Sequence, residues 1–331
     1  MIKMKTSFNK YGVLAGHDLC EITLSNDHNM SVKILNYGAT LEKVLLNGED
    51  MILSLAKPED YSKERNFLGG TVGRICGRLR LGQWRHGQQI WQLPVNDGKN
   101  HIHGGHGTDM EVWHFKLSAT EQSARADLTY FDPDGHNGFF GNLRLHVVYE
   151  LDNENNLRYE INCVSDQLTV FNPANHTYFN LGESAKELNL QMNADYYLPV
   201  GADGLPTSGM AKVAGTAFDF TKGKRVKEAL DSDDEQIKLR NGLDHPFILN
   251  GNQPAVVLRG QKHTMTMTTN APAVVIYTAN HFNHQGLTAA YGAYDGITFE
   301  AQCPPASGTD LSEITLLPFE HYQRKICWNF E

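Results

Sequence analysis

The chain predicts an all-β fold, a large antiparallel β-sandwich with few short helices. Three observations carry that expectation: apolar residues recur at every second position in many short segments, turn-forming residues separate those segments, and helical periodicity is scarce.

The alternation is clearest in Leu157-Arg158-Tyr159-Glu160-Ile161-Asn162-Cys163, which reads as a half-buried strand with one wet face. Leu143 to Leu151, Ala255 to Leu258 with the "HTMTMTT" run from His263, Ala273 to Ala279, and Ile297 to Gln302 read the same way. Between such segments lie Arg85-His86-Gly87-Gln88, Asn96-Asp97-Gly98, Asp132-Pro133-Asp134-Gly135 and Ala202-Asp203-Gly204, all with the chemistry of tight turns. Thr221 to Leu239 offers the best helical pattern, enough for one or two short turns. No repeat, linker or low-complexity tract divides the sequence, so a single domain over 1–331 is expected.

With 40% hydrophobic and 20% charged residues, the composition is that of a folded globular chain. The net charge of −9 and the lack of a long Lys/Arg cluster argue against nucleic acid as a partner. The densest basic run, Lys222 to Lys227, soon meets the acidic Asp231-Ser232-Asp233-Asp234-Glu235, and the pair reads as a solvated loop region. The opening "MIKMKTSFNKYG" lacks the apolar core of a signal peptide, and no window approaches the roughly 18 apolar residues of a membrane span. A cytoplasmic location without a membrane partner follows as the expectation. The five cysteines are odd in number and scattered, with no C-x-x-C pair, which suits reduced thiols better than disulfides or zinc. Cys303, close to Glu300 in sequence, reads as a structural thiol in preference to a nucleophile.

Two segments invite chemistry. Gly69-Gly70-Thr71-Val72-Gly73-Arg74-Ile75-Cys76-Gly77-Arg78 lacks the G-K-[ST] ending of a phosphate loop, does not fit G-x-G-x-x-G, and precedes hairpin-like sequence instead of a helix. Its glycines suit close backbone approach, and Arg74 and Arg78 either offer donor forks to acceptor oxygens or sit on the surface. In Asn100-His101-Ile102-His103-Gly104-Gly105-His106, two histidines two apart on a strand would share a face, as in the cupin metal motif. That motif needs a glutamate four or five residues after its second histidine, whereas Asp109 and Glu111 lie six and eight residues beyond His103. No metal is expected, and a histidine followed by two glycines fits a side chain exposed at a cleft.

In "ANHTYFNL", an extended chain would place His176, Tyr178 and Asn180 on one face and Thr177, Phe179 and Leu181 on the other. Taken with this run, "GGTVGRICGRLRLGQWRHGQQIWQLPVNDGKNHIHGG", "GLDHPFIL" and "GITFEAQ" stand in the order and approximate spacing of the aldose 1-epimerases, or galactose mutarotases, which the chain resembles. "NYGATL", "DGHNGFFGNL", "LPVGADGLPTSG" and "TAFDF" extend the resemblance over almost the whole length. It implies a large antiparallel sandwich with a sugar cleft and cofactor-free interconversion of the α and β anomers of a free aldose. The motif positions imply His176 as catalytic acid, Glu300 as catalytic base, and Arg78, His103 and Asp244 as sugar-holding residues, with Tyr178 lining the same site. The implied partner is a small sugar, the chain acting as a monomer or homodimer. Two departures bear on sugar preference: Gly77 stands where many members have Asn, and Val275 where some have Gln.

Anomer inversion opens the ring, rotates C1–C2 and recloses the ring on the other face of the aldehyde. It needs a base for the anomeric hydroxyl proton and an acid for the ring oxygen. A carboxylate, with an ordinary pKa of about 4.3, and an imidazole, near 6.5, are suited to those opposed roles. Around Glu300 the period-2 pattern buries Ile297 and Phe299 and turns Thr298, Glu300 and Gln302 towards a polar cleft. Asp244, in Asp-His-Pro, could instead cap a turn. Trp84, Trp91, Trp113 and Phe179 fit a β-sandwich core and receive no role in the site. Three alternatives remain open: an epimerase preferring a reducing disaccharide such as maltose, a non-catalytic sugar-binding sandwich, and a metalloenzyme around His101, His103 and His106.

Overall fold

A computed structural model of the chain describes residues 4–207 and 209–331; Met1 to Lys3 of the opening segment and Ser208 of the Leu198 motif lie outside the described residues. Three antiparallel sheets make up most of it. A five-stranded sheet runs in sequence order from Lys5–Leu14 to Glu49–Asp50. Its first and last hairpins close with two-residue loops, Ala15-Gly16 and Asn47-Gly48, whose φ values are all positive, the turn geometry that matches strand twist.

A nine-stranded sheet is built on the long strands Ser123–Asp132, Leu143–Asp152, Asn156–Ser165 and His321–Phe330. Asn156–Ser165 alternates buried and half-buried residues as its sequence demands. A six-stranded sheet follows the order Tyr178–Phe179, Ile297–Gln302, Ala273–Tyr277, Asp244–Ile248, Tyr196–Tyr197, Ala211–Lys212. The core lies between these sheets: Phe179 of the six-stranded sheet meets Trp328 of the nine-stranded one at 5.8 Å between ring centroids. Burying each such ring contributes roughly 1.5–3 kcal/mol.

The strand Ile297–Gln302 is buried along its whole length, beyond the half-buried strand expected. Ile297, Phe299 and Ala301 enter the core, while Thr298, Glu300 and Gln302 face the other side. Two short helices, Val226–Leu230 and Glu235–Arg240, occupy the segment with helical pattern. The acidic run is therefore not simply a solvated loop. Asp234 caps the second helix by accepting the Gln236 N–H at 2.8 Å, and Asn241 ends it in a left-handed conformation. Among the described residues, no helix is long and apolar enough to cross a membrane.

Candidate active site

The glycine block and the histidine run meet through backbone pairing. Gly69 donates its N–H to the His176 carbonyl at 3.0 Å, and the His176 N–H bonds to Gly70 O at 3.0 Å. Gly69 has φ +70, and a Cβ there would lie 1.9 Å from the Leu41 carbonyl oxygen, so the approach requires glycine. "ANHTYFNL" is split into two short strands, Ala174–Asn175 and Tyr178–Phe179, the second pairing with Ile297 and Thr298. His176 and Tyr178 still share a face. Asn180 departs from the expected alternation, since its amide binds Met51 O and the next residue has φ +50, which turns the chain away.

A cleft of about 380 Å³ collects all six residues named from sequence: Arg78, His103, His176, Tyr178, Asp244 and Glu300. At its floor His176 Nε2 lies 3.3 Å from Glu300 Oε1, with each side chain 5% exposed. His176 Nδ1 is buried without a hydrogen-bond partner, so Nε2 is the ring nitrogen that meets the carboxylate. Thr298 Oγ1 reaches Glu300 Oε1 at 3.2 Å, while Gln302 Nε2 at 3.3 Å and the Cys76 thiol at 3.2 Å reach Oε2. The imidazole, hydroxyl and amide contacts are long, the loose geometry of a site that tightens around its reactants, whereas 3.2 Å is close for a thiol.

His103 lies just past the two-residue strand His101–Ile102 and has φ +50, so the strand face expected to unite His101 and His103 does not reach it. His101 Nδ1 meets Pro94 O at 2.7 Å, whereas His103 Nδ1 accepts the Gly77 N–H at 3.2 Å. That contact leaves the proton on His103 Nε2. Burial, then the neighbouring His176, Arg65 and Arg78, holds the His103 pKa well below the usual imidazole value, so the ring is neutral and presents Nε2 as a donor. Arg65 fixes this loop from behind, bonding Asp109 through Nε at 2.7 Å and Nη2 at 2.6 Å, and the His103 carbonyl at 2.7 Å.

The two arginines of the glycine block part company. Arg74 is 1% exposed and spends its guanidinium on Asp132 Oδ2 at 2.5 Å and on the Phe140, Gly141 and Thr169 oxygens. Arg78 faces the cleft, with Nε bonded to Asp97 at 2.7 Å and Nη1 3.9 Å from Asp244. Asp244 does not cap a turn. It opens the strand Asp244–Ile248, and Arg240 of the second helix grips its Oδ2 at 3.1 and 2.5 Å.

The cleft also contains residues that sequence reasoning passed over. Phe67 packs its ring 4.7 Å from His103 and 5.8 Å from His176, and Arg65 covers its other side at 4.4 Å. Tyr277 and Phe282 extend the wall around Tyr178. Trp84, Trp113 and Phe179 are buried in the core, and Trp91 stacks on Trp84 at 4.3 Å. The thiol beside Glu300 is Cys76; Cys303 instead lies 3.7 Å from Arg324 Nη2. Only the period-2 reading of Gly73 to Gly77 could have pointed to Cys76, and that segment is too irregular to carry it.

A buried carboxylate and imidazole in contact, ringed by hydroxyl-binding groups, suit reversible proton transfer on a polyol. A family model described as aldose 1-epimerase matches residues 21–327. The chain belongs to the aldose 1-epimerase family. It is 73% identical to an aldose 1-epimerase of Lactobacillus helveticus over 129 residues, 39% of this chain and 100% of that relative. It is 32% identical to an aldose 1-epimerase of Haemophilus influenzae, with 86% of each chain covered. A crystal structure of galactose 1-epimerase from Lactobacillus acidophilus NCFM superposes with a TM-score of 0.98 at 68% identity over 99% of both chains. As an aldose 1-epimerase family member, the chain is an isomerase acting on small sugars, and its sandwich is that of the galactose mutarotase-like folds.

Proposed function

We propose that this enzyme interconverts the α and β anomers of free hexoses such as galactose and glucose, with Glu300 as base and His176 as acid. The observation that carries the reading is the 3.3 Å contact between His176 Nε2 and Glu300 Oε1 at the floor of the cleft. The anomeric oxygen and the ring oxygen are both bonded to C1, so a base and an acid that address them must themselves be neighbours. Glu300 takes the O1 proton as the C1–O5 bond breaks and O5 receives the proton held on His176 Nε2. Rotation about C1–C2 presents the other aldehyde face, and closure returns both protons. Arg78 donates to sugar oxygens, Asp244 accepts from sugar hydroxyls, His103 offers its Nε2 proton, and Tyr178 lines the wall.

This reading needs one domain, no cofactor, and no nucleic-acid or membrane partner. Five thiols, none in a disulfide, support a reducing, cytoplasmic setting. The test is polarimetric. The protein should speed the rotation change of freshly dissolved α-D-galactose and α-D-glucose, and full activity in Glu300→Gln would overturn the assignment of the base.

A further inference from the structure

We infer that Cys76 is a positioning residue of this site, its thiol donating to Glu300 Oε2 and holding the carboxylate aimed at the anomeric hydroxyl. The inference rests on Glu300 being the base.

Cys76 is 2% exposed and stands in a small apolar cluster with Val72, Ala174 and Phe67, under the segment that carries His176. Its amide is tied to Asn172 O at 2.9 Å, which fixes where Sγ points. Sγ has two polar neighbours: Glu300 Oε2 at 3.2 Å and His103 Nδ1 at 3.6 Å. The second already accepts the Gly77 N–H, so the thiol proton goes to the carboxylate, the nearer and stronger acceptor. Burial and the Glu300 charge push the thiol pKa well above its ordinary value. Cys76 therefore stays protonated wherever the enzyme works, which makes it a donor and removes it as a nucleophile.

A donor fixed on one oxygen of a carboxylate sets the direction in which the other oxygen points. Without the thiol, Oε2 keeps only the Gln302 amide at 3.3 Å. The other titratable or charged groups around Glu300 are His176 against Oε1, Tyr178 and Tyr277 on the flanking strands, and His103, Arg78 and Asp244 across the cleft. None of these replaces a donor at Oε2.

The test compares kcat and KM for mutarotation of galactose by the parent, Cys76→Ala and Cys76→Ser. In Cys76→Ala kcat should fall by about 3–10-fold with KM little changed, and Cys76→Ser, which restores a donor, should recover most of that loss. An unchanged kcat in the alanine variant, or a serine variant that loses as much as the alanine one, would overturn the inference. Infrared spectroscopy reads the contact itself. The S–H stretch that disappears in Cys76→Ala should shift towards a weaker hydrogen bond in Glu300→Gln, and an unmoved band would overturn the thiol–carboxylate bond even if an alanine variant failed to fold. Full activity in Glu300→Gln would fail the assignment of the base instead, leaving the infrared result to judge the contact separately.

Discussion

Two glutamates are buried almost equally, Glu300 at 4% exposure and Glu42 at 1%, yet they live in opposite surroundings. Glu300 has four donor groups within 3.3 Å, one of them the imidazole it faces. Glu42, on the strand Thr40–Leu46, has no donor within hydrogen-bond reach of either oxygen among the described residues, and the carboxyl of Glu21 is among its charged neighbours. Burial, reinforced by the negative charge of Glu21, pushes the Glu42 pKa up to about 8. Glu42 is thus largely a neutral acid at neutral pH, and the charged neighbour that acts on it most is another carboxylate in place of an imidazole. Burial alone does not distinguish the two carboxyls; the donors arranged around Glu300 do.

The largest effects should come from breaking the Glu300 side of this comparison. Glu300→Gln and His176→Asn should each lower kcat for mutarotation by about 10²–10⁴-fold with the circular dichroism spectrum unchanged. Equal losses from Glu42→Gln would erase the distinction drawn between the two carboxyls.

Asp244→Asn comes next. It removes the charge that Arg240 and Arg78 share without changing the shape of the side chain, and should lower kcat/KM by about 10–100-fold, read mainly as a higher KM.

Glu42→Gln should act on stability alone. The folded pKa of about 8 lies above the ordinary 4.5, so the native state holds a proton that the unfolded chain releases between those values. The stabilising effect of that proton is complete below pH 4.5 and is lost as pH rises through 8. Glutamine carries no charge to bury, so the variant should melt higher at pH 8, by on the order of 2–4 °C, with the gain fading as pH falls. Differential scanning calorimetry at several pH values reads this, and a variant that melts lower at pH 8 would contradict it.

The smallest effect concerns which sugar enters. Gly77 has φ +84, which asparagine tolerates, and a Cβ there would meet only Pro305 Cγ at 3.9 Å. Gly77→Asn should shift the ratio of initial rates on galactose, glucose and maltose by less than about tenfold.

Much of this was legible before any fold was built. Period-2 alternation located Leu143–Asp152, Asn156–Ser165 and Ile297–Gln302 to within two residues at either end, because alternation is a property of the strand itself. Ordered motifs named six residues that line one cleft. Other features were hidden. Phe67 and Tyr277 carry no pattern that distinguishes a cleft aromatic from a core one, and the acidic run concealed a capped helix whose Arg240 holds Asp244.

The sequence by itself determined the all-β class and its alternating strands, and its resemblance to the aldose 1-epimerases named a histidine motif and a late-strand glutamate. Only the tertiary structure decided that Cys76 and not Cys303 touches Glu300, that Arg74 is locked on Asp132 while Arg78 faces the cleft, and that Glu42 is buried without a partner. The physical reason is range. Strand periodicity and turn geometry arise among adjacent residues, whereas the thiol and its carboxylate are 224 residues apart, brought together only when distant sheet registers lock in one fold.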